Sequence, residues 1–359
     1  MKKKNLLKKV LILTSVTVIS LGGLVGCNSR QTDSGQTAGT QTGGKEENTS
    51  QTTEYKTVRI GCGDATNNQL NDLAAVAQAE GYFEKELNQV GYTLEVTGFQ
   101  GQGPEICSAI MSGALDGGNI AEFPAYNSKS SGSDISVIGV TNPKFLYGLL
   151  AVDENIKNVT DLEGKKVVVQ QGTALQYAWE QIVELTGIDA SKIEVVNASV
   201  LDGISLLQTG DADVIISAKY SLNYYAQSGL GHLVEGVPDD ASSTTLIVLD
   251  NDYIAENPDV PVALNKALIE AYEDVQENPQ LFYETVGKKM GDGGADVIQK
   301  GYEQDDSISY LTPEFSDSLY EKVKSIYNWQ KDKNLLSGDV DVDSFFDSSY
   351  YDKALEQIK

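Results

Sequence analysis

The amino-acid sequence predicts an α/β protein with two lobes and a cleft between them. Three observations support this prediction. Strand-like and helix-like segments alternate along the chain, which is typical of mixed, mostly parallel sheets flanked by helices. These segments form two clusters, one before about residue 145 and one from about 148 to 244. A late strand and a long helical tail have no sheet of their own, so we expect the chain to return to the first lobe.

Hydrophobic periodicity and turn residues indicate the elements of the first lobe, residues 57–145. Residues 57–61 and 92–98 alternate like strands, and 135–140 is another strand. The first helix is predicted over 67–80, where four apolar residues share one face before Gly81. A second helix begins near Pro104 and closes near Gly113.

The second lobe, residues 146–244, repeats the same alternation. Strands are predicted at 166–170, 194–197 and 214–217, and helices at 174–185, 203–208 and 220–228. Residues 245–359 complete the first lobe with one strand at 245–249 and helices from Pro261 onward. Crossings near 143–149 and 242–245 would join the lobes. Two lobes on a double hinge suit closure around a ligand, so the gap between them is a predicted ligand cleft.

The composition indicates an acidic protein that binds neither nucleic acid nor a transition metal. The 359 residues include 27 Lys and Arg against 52 Asp and Glu, a net charge of −25 at pH 7. Nucleic-acid contacts need clustered positive charge. One His and three Cys leave few ligands for zinc, haem or an iron–sulfur cluster. We predict no cofactor, no metal and no enzymatic activity.

The N-terminal region resembles that of a bacterial lipoprotein. A basic start and an apolar run too short to span a bilayer predict a signal peptide over residues 1–26. Leu24-Val25-Gly26-Cys27 resembles the lipobox, which implies lipidation of Cys27. Residues 27–56 are almost free of apolar side chains, so they are predicted to be a disordered tether. The predicted location is extracytoplasmic, with a lipid anchor on the outer face of the cell membrane as the only membrane contact.

Five groups of short motifs follow one another along the body. They are 79–86 (AEGYFEKE), 99–105 (FQGQGPE) with 109–116 (AIMSGALD), 161–167 (DLEGKKV), 206–213 (LLQTGDAD), and 341–347 (DVDSFFD) with 351–355 (YDKAL). In order and spacing they resemble the solute-binding lipoproteins of ABC importers, specifically the aliphatic sulfonate, nitrate and taurine-binding family. The resemblance implies a type II periplasmic-binding fold. It also implies a small-molecule solute and an ABC permease with its ATPase as partners. A monomer is expected.

One segment departs from that family. Residues 214–220 (VIISAKY) have neither the Trp nor the Pro-Tyr that many sulfonate-type members carry there. Two ligand classes therefore stay open. One is a small anionic organic solute of the sulfonate or taurine type, or nitrate or bicarbonate. The other is a heteroaromatic cofactor precursor of the thiamine pyrimidine or riboflavin type. A surface interaction or sensory lipoprotein without a transport role is a further alternative.

Loops after strands supply the candidate binding residues, because the N–H groups of the following helix point there and favour anions. The candidates are Asp64, Asn67 and Asn68; Gln100, Gly101, Gln102 and Gly103; Ala121 and Glu122; Gln171, Gly172, Thr173 and Ala174; and Ser217, Lys219 and Tyr220.

The arginine content argues against an amino acid as the ligand. Only Arg30 and Arg59 occur, so the second lobe has no Arg to form a bidentate salt bridge with the carboxylate of an amino acid. Lys219 or Lys144 would supply an optional positive charge. Glu122 would either complement its helix dipole or bind a cationic or NH-bearing group.

Cys62 and Cys107 could form a disulfide, but buried free thiols are favoured.

Overall fold

A computed structural model describes residues 54–358 of the chain. The predicted signal peptide, the lipidation site at Cys27 and nearly all of the tether lie outside the described residues. Within the described part, the chain has no helix that combines the length and the apolar character needed to cross a membrane.

The described residues contain a mixed sheet of nine strands. Along the sheet the order is β2-β1-β3-β9-β4-β7-β5-β6, with β8 beside β4. The strands are β1 (Lys56–Cys62), β2 (Tyr92–Gly98), β3 (Gly117–Ala121), β4 (Ile135–Ala151), β5 (Lys166–Val168), β6 (Glu194–Val196), β7 (Val214–Ala218), β8 (His232–Leu233) and β9 (Ser242–Asp250).

Helices connect and cover these strands. They are α1 (Asp72–Ala79), α2 (Tyr82–Gln89), α3 (Gln102–Met111), α4 (Glu122–Ser130), α5 (Ala174–Thr186), α6 (Val200–Thr209), α7 (Lys219–Gln227), α8 (Asn251–Glu256), α9 (Asp259–Glu277), α10 (Pro279–Gly287), α11 (Gly294–Gln304), α12 (Asp317–Asp332), α13 (Val342–Phe345) and α14 (Ser349–Ile358). Short 3-10 turns lie at Val159–Leu162, Ala190–Lys192, Lys288–Met290 and Ser307–Tyr310.

Strand β4 runs through both lobes. Its first part, residues 135–146, pairs antiparallel with β9, and residues 147–151 pair antiparallel with β7. Strands β2, β1, β3 and β9 with the first part of β4 form the first lobe, and the remaining strands form the second. The antiparallel pairs all include β4 or β9, whereas β1 with β2 and β3, and β5 with β6 and β7, are parallel. The predicted two-lobed α/β fold is confirmed.

Both faces of the sheet are covered by helices. In the first lobe, Ile60 and Leu249 pack with α1, α2 and α9–α11 on one face, whereas Val137 and Val248 pack with α3, α4 and α12–α13 on the other. In the second lobe, successive residues of β4 separate the two layers. Leu149 belongs to the core beside α5, and the next residue belongs to the core beside α6 and α7. A strand buried on both faces reads as a continuous apolar run.

One predicted helix boundary is wrong, and one helix and one strand were missed. The helix predicted over 67–80 begins only at Asp72, and α2 after it was not predicted. Strand β3 was also missed, because glycine is depleted in strands. Here glycine is needed, since a Cβ on Gly117 would lie 2.3 Å from the carbonyl oxygen of Val248. The crossing predicted at residues 143–149 falls within the continuous strand β4, and as a link between the lobes it stays a prediction.

The two cysteines of the body are free and buried, the favoured alternative. Burial raises the pKa of each thiol to about 11. The exact bounds of the two lobes, 57–145 with 245–359 and 146–244, stay predictions.

Candidate functional site

A cavity of about 370 Å³ lies where the two lobes face each other. The starts of six helices line it. Each contributes the residue before its first turn or the first residue of that turn: Asn71 for α1, Gln102 for α3, Ala121 for α4, Thr173 for α5, Ser199 for α6 and Ala218 for α7.

The topology of the sheet explains this convergence. Helices α1, α3 and α4 follow β1, β2 and β3, and helices α5, α6 and α7 follow β5, β6 and β7. In open α/β sheets, ligands bind outside the carboxyl ends of the strands, where the next helices begin. A helix start carries free N–H groups and roughly half a positive charge. The cavity is therefore suited to an anion.

The start of α7 is the least compensated of the six. Helices α1, α3, α4 and α6 carry an acidic residue in the first turn, and α5 is capped by the Thr173 hydroxyl, which accepts from the Leu175 N–H at 3.2 Å. Helix α7 has neither an acidic residue in its first turn nor a side-chain cap. Its first N–H groups are the most available donors for a bound anion.

Lys289 brings a positive charge to the cavity lining. Its Nζ donates to the Tyr220 hydroxyl at 3.3 Å and lies 5.4 Å from the centre of that ring. Burial opposes the charged form, but Tyr220, Asp64 and Asp72 outweigh it and raise the pKa of Lys289 above its ordinary value. Lys289 is therefore an ammonium at neutral pH. It comes from the 3-10 turn between α10 and α11.

The wall of the first lobe is polar. Asp64 follows β1 and accepts from the backbone N–H groups of Thr66 and Asn67, each at 3.0 Å. Gln102 starts α3 with a φ of 53°, which is uncommon for a residue with a side chain. Asn119 lines the cavity as well, and its side chain joins β3 to the backbone at Asn71 and Leu246.

The wall formed by β4 and α7 is aromatic. Phe145 and Tyr147 come from β4, and Tyr220, Tyr224 and Tyr225 come from α7. The Phe145 ring lies 5.3 Å from that of Tyr147 and 5.9 Å from that of Tyr220, in the second case edge to face. These five side chains are called the aromatic wall below.

The lobes touch at the edge of the cavity. Gln100 Nε2 of the first lobe donates to Ser199 Oγ of the second at 3.2 Å, and Gln170 Nε2 donates back to the Gln100 carbonyl oxygen at 3.2 Å. A Cβ on Gly172 would lie 3.4 Å from Pro104. The structure therefore has the cleft closed along this side.

Ten of the sixteen predicted binding residues line the cavity, and their role in binding stays a prediction. They are Asp64, Asn67, Gln100, Gln102, Gly103, Ala121, Thr173, Ala174, Ser217 and Tyr220.

Four of the other predicted residues build the loops around the cavity. Asn68 Oδ1 accepts from the Gly98 N–H, and the Gly101 N–H donates to Glu105. The Gln171 N–H donates to Asn197, and the Gly172 N–H donates to Gln176. These hydrogen bonds are with neighbouring protein groups, and none of the four residues lines the cavity.

The predicted lysines lie elsewhere. Lys219 pairs with Asp305 at 2.6 Å, and Lys144 lies over the ring of Tyr310, 4.6 Å from its centre. Neither lines the cavity. Lys289 takes the place that the sequence analysis gave to Lys219, because the turn after α10 reaches the cavity from the C-terminal part of the chain.

Glu122 lies behind the cavity and is completely buried, so the predicted contact with a ligand does not fit. Its Oε2 accepts from the Thr244 N–H at 2.6 Å, and Oε1 has no partner among the described residues. Burial raises the pKa of Glu122, and the nearby Lys322 counteracts this. Burial in turn lowers the pKa of Lys322. The two are neighbouring buried ionisable groups beside the strands that link the lobes, and each shifts the pKa of the other.

The sequence analysis missed several residues of the site. Ser199 had a usable signal, since a Ser followed three residues later by Asp202 after a strand indicates a helix start. Phe145 and Tyr147 were assigned to a crossing and not to a cavity wall. Lys289 had no local signal, because no strand precedes it.

Comparisons with known proteins agree with this fold. The NMT1/THI5-like family model matches residues 73–281. A protein of Escherichia coli (strain K12) named for binding aliphatic sulfonates is 28% identical over 113 residues, 31% of this chain and 35% of that protein. The chain thus matches about a third of the length of this curated relative.

Two solved structures have the same fold. The periplasmic sulfonate-binding protein of Methylobacillus flagellatus KT is 20% identical, with a TM-score of 0.66 over 85% of this chain and 95% of that one. The desulfurization enzyme DSZB is 14% identical, with a TM-score of 0.62 over 85% of this chain and 100% of that one. At these identities the likeness shows the fold alone, and the fold occurs in both a binding protein and an enzyme.

Proposed function

Because the chain belongs to the NMT1/THI5-like family and has the fold of periplasmic binding proteins, we propose that it captures a small anionic organic solute outside the cytoplasmic membrane. The lobes close around the solute, and the protein delivers it to an ABC permease with its ATPase. A lipid on Cys27 holds the protein, as a monomer, on the outer face of the membrane.

One observation supports a negatively charged ligand. The uncompensated start of α7 and the ammonium of Lys289 face the same cavity and meet at Tyr220. Backbone N–H groups and an ammonium together stabilise a negative group that is largely removed from water. Asp64 and Asp72 oppose this, but two backbone N–H groups already bind the Asp64 carboxylate, and the Thr245 and Asn142 side chains bind that of Asp72.

A sulfonate suits the site better than nitrate or bicarbonate. Its three oxygens can accept from several N–H donors at once, and its organic part can occupy the rest of a cavity of about 370 Å³. An inorganic anion would leave most of that volume unfilled. The relative in Escherichia coli is named for aliphatic sulfonates, which supports the same class.

The second candidate is a heteroaromatic cofactor precursor of the pyrimidine or riboflavin type. The aromatic wall supports it, because flat rings stack on aromatic side chains. The polar wall opposite would then bind the ring nitrogens and carbonyl groups. In this case Lys289 would have no negative partner on the ligand.

The role is proposed as binding without a reaction. Among the residues that line the cavity, none is a His or a Cys, and the hydroxyl groups there have no adjacent imidazole. A serine nucleophile needs an adjacent base such as His or Lys, and the Lys289 ammonium donates to Tyr220 and not to a serine hydroxyl. The enzyme DSZB has the same fold, so the fold itself does not decide the point.

Thermal unfolding of the purified protein with a ligand panel tests the proposal. The panel contains taurine, ethanesulfonate, nitrate and bicarbonate, with a pyrimidine precursor and riboflavin as the second class. A ligand at about 100 times its dissociation constant stabilises the folded state by about 2.7 kcal/mol. We expect sulfonates to raise the midpoint by several degrees. A response to the neutral rings alone would support the second candidate and contradict the first.

A matched pair of variants identifies the cation. Lys289→Met should lower sulfonate affinity at least about tenfold, since a hydrogen bond to a charged group contributes about 1.5–3 kcal/mol. Lys288→Met removes the same charge from the exposed neighbour, which does not line the cavity, and should leave affinity unchanged. Equal losses in both variants would indicate a general effect of net charge.

A further inference from the structure

We infer that the ligand carries its anionic group directly on a flat ring, so that the site takes an aryl sulfonate in preference to an alkyl sulfonate or a neutral ring. This inference rests on the proposed function and narrows it. The alkyl chain of an aliphatic sulfonate would make no stacking or edge-to-face contact with the aromatic wall. A neutral ring would have no negative group to pair with the Lys289 ammonium.

Tyr220 contacts both the positive charge of Lys289 and the rest of the aromatic wall. Its hydroxyl accepts from Lys289 Nζ at 3.3 Å, and its ring and that of Phe145 pack edge to face, with 5.9 Å between the ring centres and an angle of 82° between the ring planes. Lys289 Nζ lies only 5.4 Å from the centre of the Tyr220 ring. The cation and the aromatic wall are therefore adjacent, which leaves no room for a long spacer between the anion and the ring of a ligand.

The tyrosine hydroxyl groups nearest the hinge already have partners. The Tyr147 hydroxyl shares a hydrogen bond of 2.6 Å with Ser243 Oγ, and the Tyr220 hydroxyl accepts from Lys289. The Tyr220 O–H remains a donor for a negative group, and the other surface that these residues offer a ligand is the carbon surface of their rings. Aromatic pairs prefer edge-to-face or offset-stacked contacts, which a flat ring can make and a saturated chain cannot.

The size of the cavity agrees with a ring. A volume of about 370 Å³ lies within the range of sites that bury whole organic molecules. On the far side, Asn67 and Gln102 of the first lobe offer amides to the substituents of such a ring. A two-carbon sulfonate would contact Lys289 or the amides but would leave much of the aromatic wall against water.

Isothermal titration of the whole protein with four probes tests the inference. Benzenesulfonate has both features, ethanesulfonate lacks the ring, cyclohexanesulfonate has a ring of similar size that is not flat, and benzenesulfonamide keeps the flat ring without the charge. We expect benzenesulfonate to bind at least about tenfold more tightly than each of the others. That difference in affinity corresponds to the free energy of one or two aromatic contacts, or of one charge-assisted hydrogen bond.

The outcomes separate the inference from the proposed function. If ethanesulfonate or cyclohexanesulfonate binds as tightly as benzenesulfonate, the aryl inference is overturned and anion capture stands. If benzenesulfonamide binds as tightly, the role of the charge is overturned and with it the proposed function. Failure of all three sulfonates to bind overturns both.

Two variants place the ring in the cavity. Tyr224 lines the cavity, and its ring lies 5.7 Å from that of Tyr225. Tyr224→Leu should weaken benzenesulfonate binding about threefold or more and leave ethanesulfonate within a factor of two. Tyr310→Leu, at an exposed tyrosine outside the cavity, is the control and should change neither. Equal weakening of both ligands by Tyr224→Leu would contradict the inference.

Discussion

The ammonium of Lys322 lies 2.8 Å from the carbonyl oxygen of Pro143 and 3.1 Å from that of Ser243. Pro143 belongs to β4 and Ser243 to β9, the paired strands on which the first lobe continues into the second. One side chain from α12 thus joins both strands where they cross. Its Nζ also donates to Ser242 Oγ at 3.0 Å. This contact lies at the predicted hinge, and the buried Glu122 lies close enough to raise the pKa of Lys322, although burial lowers it more.

Lys322→Met should destabilise the protein by about 3 kcal/mol, because it leaves the carbonyl oxygens of Pro143 and Ser243 without their charged donor and Glu122 without its nearby positive group. The double variant Glu122→Gln with Lys322→Met should lose less than the sum of the two single variants. Urea unfolding at pH 7 measures all three.

The control for this prediction lies on the same helix. Lys324 pairs with Asp343 at 2.6 Å, and both side chains are exposed. Lys324→Met should therefore cost less than about 1 kcal/mol. A similar loss for Lys322→Met and Lys324→Met would contradict the role of Lys322 at the hinge.

The buried carboxyl of Asp72 should make the stability of the protein depend on pH. Burial raises its pKa from 3.8 to about 6, although hydrogen bonds from Thr245 and Asn142 lower it. A carboxyl with a higher pKa in the folded state binds more protons when folded. Its contribution is therefore present at low pH and is lost as pH rises from about 4 to 6. A shift of about two units corresponds to about 3 kcal/mol.

Asp72→Asn should remove this part of the pH dependence. The free energies of unfolding of the wild-type protein and the variant can be compared by urea unfolding at pH 4, 5, 6 and 7. As the pH rises, that of the wild-type protein should fall relative to that of the variant by up to about 3 kcal/mol. A difference between the two proteins that stays constant over this range would show that Asp72 does not change its protonation on folding.

Two glycines of the cavity lining should respond differently to alanine. A Cβ on Gly103 would lie 2.4 Å from Pro124 Cγ, whereas a Cβ on Gly63 would lie 3.5 Å from Gln102 in ordinary contact. Gly103→Ala should push α3 away from α4 and cost about 1–3 kcal/mol. Gly63→Ala should stay within about 0.5 kcal/mol. Equal unfolding midpoints in urea would contradict this explanation.

Gln100→Ala should speed up ligand release a few fold. It removes the hydrogen bond from Gln100 Nε2 to Ser199 Oγ across the cleft but keeps the backbone carbonyl that Gln170 binds. One neutral hydrogen bond contributes about 1 kcal/mol. Stopped-flow dissociation of the ligand found by the panel measures the effect. Gln280→Ala, at an exposed glutamine of α10, should leave the rate unchanged.

Most strands and helices could be predicted because their signals are local. Strand β2 has the predicted bounds, and β5, β6, β7 and α5 agree within two residues. The errors occurred where tertiary contacts outweigh local preference. Gly117 lies in a strand because only glycine fits against β9, and residues before Asp72 leave the helix because Asn68 accepts from the backbone of β2.

The amino-acid sequence by itself determined the fold class and the loops that border the cavity, since alternating periodicity and parallel strands bring successive helix starts to one edge. Only the tertiary structure decided which charged side chains reach the cavity. Lys219 and Glu122 are near the cavity in sequence but bind Asp305 and the backbone of Thr244, whereas Lys289 arrives from a distant turn. A side chain's direction and its partners depend on contacts between segments far apart in the chain, and no local pattern encodes them.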